Sequence, residues 1–346
     1  MYVGGPARYF VEVKSITDLV EALKFAKEKN VPYFILGGGS NILVSDSGFN
    51  GLVIKICILG RTLINETDNY IDLEVSAGEK WDDFVKFTVD NNWYGLENMS
   101  HVPGSVGASV VQNVGCYGQE VGESVLCVKA VDTASLKNVI LNNKDLNFSY
   151  RKSALNDSEM YKSKYVVVSI VFRLKKNGEL NLSYGDLQKY FSEHNKLIPN
   201  LQTVRQAIIN VRNSKFPFPD VPTNGTCGSF WNTPVVDEDT FGQIVQSLKE
   251  KGSEKKAEEM RSKKNVFMVK QGFKITPGLL VEILDMRGKK QGGAKILENH
   301  GGIINNYTGK ATAQDILELS NEVVNAVEKT FGIKIKIEPE LVGDFD

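Results

Sequence analysis

Two stretches of the chain are nearly bare of side chains and offer backbone instead. GGGSN runs from Gly37 to Asn41, and PGSVGASVVQNVGCYG runs from Pro103 to Gly118. Val106, Val110, Val111 and Val114 make the second stretch too apolar for a solvated Gly/Ser tether. Clustered glycine has another use, which is to let backbone N–H groups come close to a bound anion. Two such loops can hold a diphosphate between them. The first does not fit G-x-G-x-x-G, because Ile42 stands where the last glycine should be and a strand rather than a helix follows. Nor does it fit G-x-x-x-x-G-K-[ST], so a Rossmann site and P-loop hydrolysis are both disfavoured. Spacing alone leaves a second reading open, two tight turns in a β-rich domain, since glycine is common in turns.

Other chemistry-bearing residues are sparse. Cys57, Cys116, Cys127 and Cys227 are scattered without a C-x-x-C pair, and His101, His194 and His300 lie far apart, so neither a zinc site nor a disulfide framework is indicated. Cys227 invites a nucleophile reading, but no histidine is near it in sequence, and packing is the competing reading. Taken alone, Arg151 and Glu340 read as surface residues and Ser229 as a turn serine. With Lys+Arg 41 against Asp+Glu 42 the net charge is -1 and no basic face is evident, which argues against nucleic acid or an anionic membrane as main partner. The opening MYVGGPARYF lacks a basic region followed by an apolar one, and the longest apolar runs, such as YVVVSIVF, are strand-sized. A soluble cytoplasmic protein in a reducing compartment is expected.

The elements that must position these loops can be read from periodicity. A chain of 346 residues with 42% hydrophobic and 24% charged residues is expected to form two or three domains. Ile16, Leu19, Val20, Leu23 and Ala26 share one helical face, with Ser15 and Asp18 spaced as a capping box. VPYFIL and ILVSD read as strands around the first glycine loop, and IDLEVS as a half-buried strand. Trp81, Phe84, Val85, Thr88 and Val89 form the stripe of a second helix. SVLCVKAVD, KNVIL and KYVVVSIVFRL read as strands of a further sheet, two of them joined through NFSYRKS. LSYGDL shows little periodicity, and helical spacing returns in VRQAIINVR, which places a domain boundary near 178–200. The run at 249–264, dense in both charge signs, reads as a solvated helix face or surface insertion. Thr276, Pro277 and Gly288 mark a helix over ITPGLLVEILDMRG, ATAQDILELSNEVVNAVEKTFG is the last long helix, and KIKIEPELVG is a strand broken by Pro339.

LGGGSN, VPGSVGASVVQNVGCYG, FSYRKS, SKFPFPD, GTCGSFW and IEPE, in that order, resemble the UDP-N-acetylenolpyruvoylglucosamine reductase (MurB) family, and the likeness runs from GGPARYF to IEPELVG. The resemblance implies an α+β protein: a two-subdomain FAD-binding fold of the vanillyl-alcohol-oxidase type over 1–177, split near 60–70, plus a C-terminal α+β substrate domain over 201–346. Residues 178–200 would connect them with a tyrosine-bearing loop, LSYGDL, that looks like the family's type I branch. The last strand would return to the FAD domain. It further implies non-covalent FAD, NADPH as hydride donor, UDP-N-acetylglucosamine enolpyruvate as substrate, a place in peptidoglycan precursor synthesis, and a monomer with no nucleic acid, membrane or metal.

By the same resemblance FAD would lie against Gly37, Gly38, Gly39, Ser40 and Asn41 on one wall. The other wall would comprise Pro103, Gly104, Ser105, Gly107, Ala108, Gln112, Asn113, Gly115, Tyr117 and Gly118. Arg151 would grip the substrate carboxylate with its planar fork, Ser229 would donate a proton, and Glu340 would be the third catalytic residue. Tyr184, Lys215 and Glu282 would touch the nucleotide sugar. GSFWNTP departs from the family's common GSFFKNP at Trp231, Asn232 and Thr233, and Cys116 replaces an alanine. Two rivals have distinguishing marks. An oxygen-using FAD oxidase often tethers flavin through a histidine, for which only His101 is near the loop, and a nucleotide-sugar binding protein without catalysis would have no use for Arg151, Ser229 and Glu340 together.

Overall fold

The computed structural model describes residues 1–157, 163–194, 197–216, 218–250, 252–262, 266–269 and 272–345. The chain forms two compact units, neither of them continuous: one holds residues 7–39 and 50–214, the other 1–6, 40–49 and 215–346.

Among its described residues the first unit contains two larger sheets, besides the short ladder of Gly115–Cys116 with Gln119–Glu120. Strands Ala7–Val13, Phe49–Ile56 and Tyr33–Leu36 form the smaller one, the last two parallel with Tyr33 opposite Leu52. Parallel neighbours need a crossover, and here it is residues 37–48, which hold the first glycine loop and the strand Ile42–Val44; the helix Ile16–Glu28 precedes Tyr33 as periodicity predicts. The Ser15 hydroxyl accepts from the Asp18 N–H at 3.1 Å, but the Asp18 carboxylate reaches the Lys14 N–H at 2.9 Å, one residue short of a full capping box. The larger sheet is antiparallel, in the order Asn138–Asn142, Val125–Asp132, Tyr165–Lys175, Tyr70–Ser76, Arg61–Glu66. Its central strand reads as an apolar run interrupted only by Ser169 because seven successive residues from Val166 to Phe172 are buried. The helix Trp81–Asp90 buries Trp81, Phe84, Val85, Thr88 and Val89, as its stripe requires, and the Phe84 and Phe172 rings meet at 5.0 Å.

The same unit holds a helix that periodicity misses. Gly185–Glu193 begins inside LSYGDL with Tyr184 as its N-cap residue. It and the helix Leu201–Lys215 share a small satellite core of Leu187, Val204, Ala207, Ile208 and Tyr117. Asp82 receives Arg205 in bidentate fashion at 2.7 and 2.8 Å and the His101 N–H at 2.5 Å, which fastens the second helix to the Trp81–Asp90 helix. The units therefore divide at Ser214 and Lys215 instead of within the expected 178–200 segment.

In the second unit, strands Gly225–Ser229, Ile303–Asn306, Ala294–Ile296 and Lys290–Gln291 form an antiparallel sheet. The helix Ala313–Phe331 has a full capping box from Thr312 and Asp315 and ends on Gly332 at φ +69°. It buries Ile316, Leu319 and Val323, and its Ser320 hydroxyl accepts from the buried Trp231 indole at 3.0 Å. A three-stranded antiparallel sheet, Val235–Val236, Gly272–Ile275 and Val266–Val269, and a parallel pair, Ile42–Val44 with Glu340–Val342, complete its strands. Thus the last strand pairs inside this unit with the segment after the first glycine loop, and KIKIEPELVG is strand only from Glu340. The helix Pro277–Ile283 stops well before Gly288, because Asp285 already turns to φ +55°. Over 249–264 the helix Glu254–Arg261 buries Ala257 and Met260, so one side of it is core; residues 251, 263 and 264 of that run lie outside the described residues.

Candidate active site

The two glycine loops do meet where both belong to the first unit. A Cβ added at Gly38 would stand 2.6 Å from the Gly104 Cα, and one at Gly37 would stand 2.7 Å from the Ser105 Oγ and 3.1 Å from the Ala108 Cβ. Neither position tolerates a side chain, and Gly104 needs φ +130° as well. Beside this contact the Ser105 hydroxyl is buried and, among the described residues, makes no hydrogen bond. A buried donor without a partner is costly, and a phosphate oxygen is a ligand that would satisfy it. Bare backbone, small side chains and an orphaned hydroxyl fit a dinucleotide diphosphate.

The remaining expected wall residues divide by what they touch. Gly107 gives its N–H to the Ala77 carbonyl at 2.8 Å and packs so closely on Ala77 that a Cβ would lie 2.6 Å from that residue's own. Gly115 pairs with Glu120 in a short hairpin, and Gly118 supplies the φ +82° of its turn. The Asn113 side chain is turned into the protein, bonded to Glu120, Ser149 and Gly122. Tyr117 is buried, and its ring meets the Tyr184 ring edge-on at 5.2 Å. Burial pushes both phenols up. These residues build the loop; Gly37, Gly38, Gly104, Ser105 and Ala108 face each other across it. Gly39 takes φ +67° at the first turn, and Pro103 and Gln112 flank the contact in sequence.

Arg151 is in the same unit, half-buried, with one guanidinium N–H on the Gly115 carbonyl at 3.0 Å and its charge 5.0 Å from the Tyr150 ring. It faces the Cys116 thiol electrostatically, as does Arg212, a residue sequence reasoning passed over. Burial pushes that thiol up and the two cations pull it back. Arg212 stands four residues after Ile208 on the stripe of its helix, and a charge in line with buried positions was the signal for it.

Ser229, Glu340 and Asn41 belong to the second unit. Ser229 ends its strand at a register shift opposite Ile303, directly after Gly228 at φ +73°. Such a bulge re-aims a side chain, and Ser229 is exposed where its strand is otherwise mostly buried. The Phe230 carbonyl accepts from the Glu338 N–H at 3.0 Å, and the Asn41 carbonyl accepts from the Glu340 N–H at 3.0 Å. The IEPE segment therefore runs beside Ser229 and then beside the end of the first glycine loop, which carries Ser40 and Asn41. Cys227 donates to the Ile42 carbonyl, and burial pushes its thiol up to about 11, as a packing residue requires and a nucleophile does not. Glu282 is held by Arg287 at 2.5 Å, and Lys215 closes the helix that began at Leu201. Asn232 buries a side-chain oxygen that has no partner among the described residues. Pro217 of SKFPFPD lies outside the described residues.

Comparison with known proteins agrees with this geometry. Residues 7–135 match the FAD binding domain family, and residues 220–342 match the UDP-N-acetylenolpyruvoylglucosamine reductase C-terminal domain. The UDP-N-acetylenolpyruvoylglucosamine reductase of Flavobacterium johnsoniae is 36% identical over 97% of this chain and 94% of its own. That of Bdellovibrio bacteriovorus is 37% identical over 96% and 93%. The crystal structure of the Thermus caldophilus reductase, 21% identical, superposes with a TM-score of 0.65 over 98% of this chain and 94% of that one, which shows the shared fold. With two relatives above 30% identity over nearly the whole length, and with glycine loops shaped for a dinucleotide, the chain belongs to the UDP-N-acetylenolpyruvoylglucosamine reductase family of FAD-dependent oxidoreductases.

Proposed function

We propose that this protein reduces UDP-N-acetylglucosamine enolpyruvate to UDP-N-acetylmuramate with NADPH, as a cytoplasmic monomer supplying peptidoglycan precursors. The observation that carries the reading is the contact of Gly37 and Gly38 with Gly104 and Ser105, where the buried Ser105 hydroxyl lacks a partner among the described residues. FAD, when bound there, supplies hydride taken from NADPH to the terminal carbon of the enolpyruvyl double bond. Gly38, Gly39, Gly104 and Ser105 would hold its phosphates.

The protein's own tasks follow from the substrate. Hydride addition leaves negative charge on the neighbouring carbon, spread into the carboxylate, and a preorganised cation must meet it. Arg151 is permanently charged, and its guanidinium, one N–H of which is on the Gly115 carbonyl, has the planar fork that suits a carboxylate. The carbon must also receive a proton. Ser229 is a weak acid, but a carbanion equivalent is basic enough to take a hydroxyl proton, and its bulge leaves it exposed to do so. Glu340, exposed on the adjoining segment, would hold the carboxylate when protonated or through water. Tyr184 would close over the nucleotide sugar, Lys215 would meet its diphosphate and Glu282 a polar group of the sugar.

Anaerobic reduction by NADPH followed by stopped-flow reoxidation tests this. The flavin absorbance should return much faster with UDP-N-acetylglucosamine enolpyruvate than with air. Fast return in air and none with the enolpyruvyl substrate would point to an oxidase instead.

A further inference from the structure

Arg151 sits in an unusual backbone position for a long side chain. Ser149 and Lys152 exchange backbone hydrogen bonds at 2.9 and 3.0 Å, which makes Tyr150 and Arg151 the two corner residues of a tight turn. Arg151 takes φ +55°, a left-handed conformation that such a corner normally gives to glycine or asparagine. A non-glycine residue there costs on the order of 1 kcal/mol and persists only when its surroundings hold it.

What holds it is alternate residues of the second glycine stretch. The Val111 carbonyl accepts from the Ser153 hydroxyl at 2.7 Å, the Asn113 side-chain N–H donates to the Ser149 carbonyl at 3.0 Å, and the Gly115 carbonyl accepts from the Arg151 guanidinium at 3.0 Å. Asn113 is the middle member and is fully committed: its second N–H goes to Glu120 at 2.7 Å, its oxygen accepts from the Gly122 N–H at 3.0 Å, and it is 1% exposed. Asn113 is itself left-handed at φ +45°, which asparagine tolerates. The Ser149 carbonyl that it grips is the one closing the Arg151 turn with the Lys152 N–H.

We infer that Asn113 is a positioning residue for Arg151, setting the guanidinium through the Ser149 carbonyl and thereby coupling the shape of the glycine loop to the grip on the substrate carboxylate. This rests on the reading of Arg151 as that grip. The bonds involved are backbone and amide contacts within one unit, so the orientation of Arg151 depends on a residue that touches neither the substrate nor, through its side chain, the cofactor.

A double-mutant cycle on the FAD-loaded enzyme tests it, reading reoxidation by the enolpyruvyl substrate. Asn113→Ala should slow that step roughly ten- to a hundredfold in the wild-type background, the cost of a misplaced group. In the Arg151→Ala background the same change should cost less than about twofold, because its target is gone. A readout free of turnover accompanies it: amide exchange in the oxidised enzyme should quicken over 147–155, above all at Lys152, in Asn113→Ala. Equal penalties in both backgrounds, or unchanged exchange, overturn the inference while leaving Arg151 its role. An Arg151→Ala enzyme as fast as wild type overturns the role and the inference with it. If Asn113→Ala loses its flavin, Ser153→Ala, which removes the bond to Val111, takes its place in the same cycle and is judged by the same outcomes.

Discussion

On the proposed mechanism Ser229 and Arg151 would act on the same half of the reaction by different means, and substitutions should separate them. Ser229→Ala should bind flavin and bleach with NADPH nearly normally, then reoxidise with substrate roughly a hundred- to ten-thousandfold slower, the usual loss for a positioned acid. Ser229→Cys should recover part of that rate, since a thiol can deliver a proton from nearly the same place. Arg151→Lys should slow the same step because an ammonium cannot reproduce the planar fork. Stopped-flow traces of the two half-reactions check all three, and Ser229→Ala reoxidising at the wild-type rate would leave the serine only a turn residue. The types and order of these residues were readable in the chain because motifs are local. Their settings were not: the left-handed φ of Arg151, the bulge before Ser229 and the buried commitment of Asn113 depend on partners far away in sequence.

Elements with a single strong period were legible, and those defined by tertiary partners were not. The Trp81–Asp90 helix announced itself by apolar spacing, and the Ala313–Phe331 helix was legible as the last long helix. The Gly185–Glu193 helix did not, since among its residues only Leu187 is buried and the rest of its face is too polar to show a stripe. The Asp82 junction was equally hidden, because ion pairs between helices more than a hundred residues apart leave no local pattern. It has a titratable signature. Burial alone would push the Asp82 carboxyl up, but the Arg205 pair and the His101 N–H hold it below its ordinary value. A carboxyl with a depressed folded pKa adds stability above its unfolded pKa, near 4, and loses it as pH falls through the folded value. Asp82→Asn should therefore cost on the order of 2 kcal/mol at neutral pH. The gap from wild type should close below about pH 4, as urea titrations at pH 7 and pH 3 would measure. A gap that persists undiminished at low pH would remove the charge from the explanation.

At the scale of the molecule, each unit has its own apolar core, one around Phe84 and Phe172 and the other around Trp231 and Leu319. The resemblance led to the right α+β class and to a reductase C-terminal portion, yet it placed the first glycine loop wholly in one domain. The structure cuts that loop between Gly39 and Ser40. If the Gly37, Gly38, Gly104 and Ser105 contact is the dinucleotide site, free FAD at a hundred times its Kd should stabilise the stripped protein by about 2.7 kcal/mol through mass action. Calorimetry with FAD, against riboflavin, which lacks the phosphates, would show whether the diphosphate supplies that gain. The pairing of Ile42–Val44 with Glu340–Val342 has a consequence in time. A ribosome adding about 5–20 residues per second must work for tens of seconds after the early strand emerges before the late one exists. Through that interval the early strand has, among the described strands, no partner with which to form a ladder. A nascent chain cut short before Glu340 would carry a bare apolar edge and would lack the carboxylate proposed as the third catalytic residue, so on that reading unfinished copies should be both inert and prone to stick to one another.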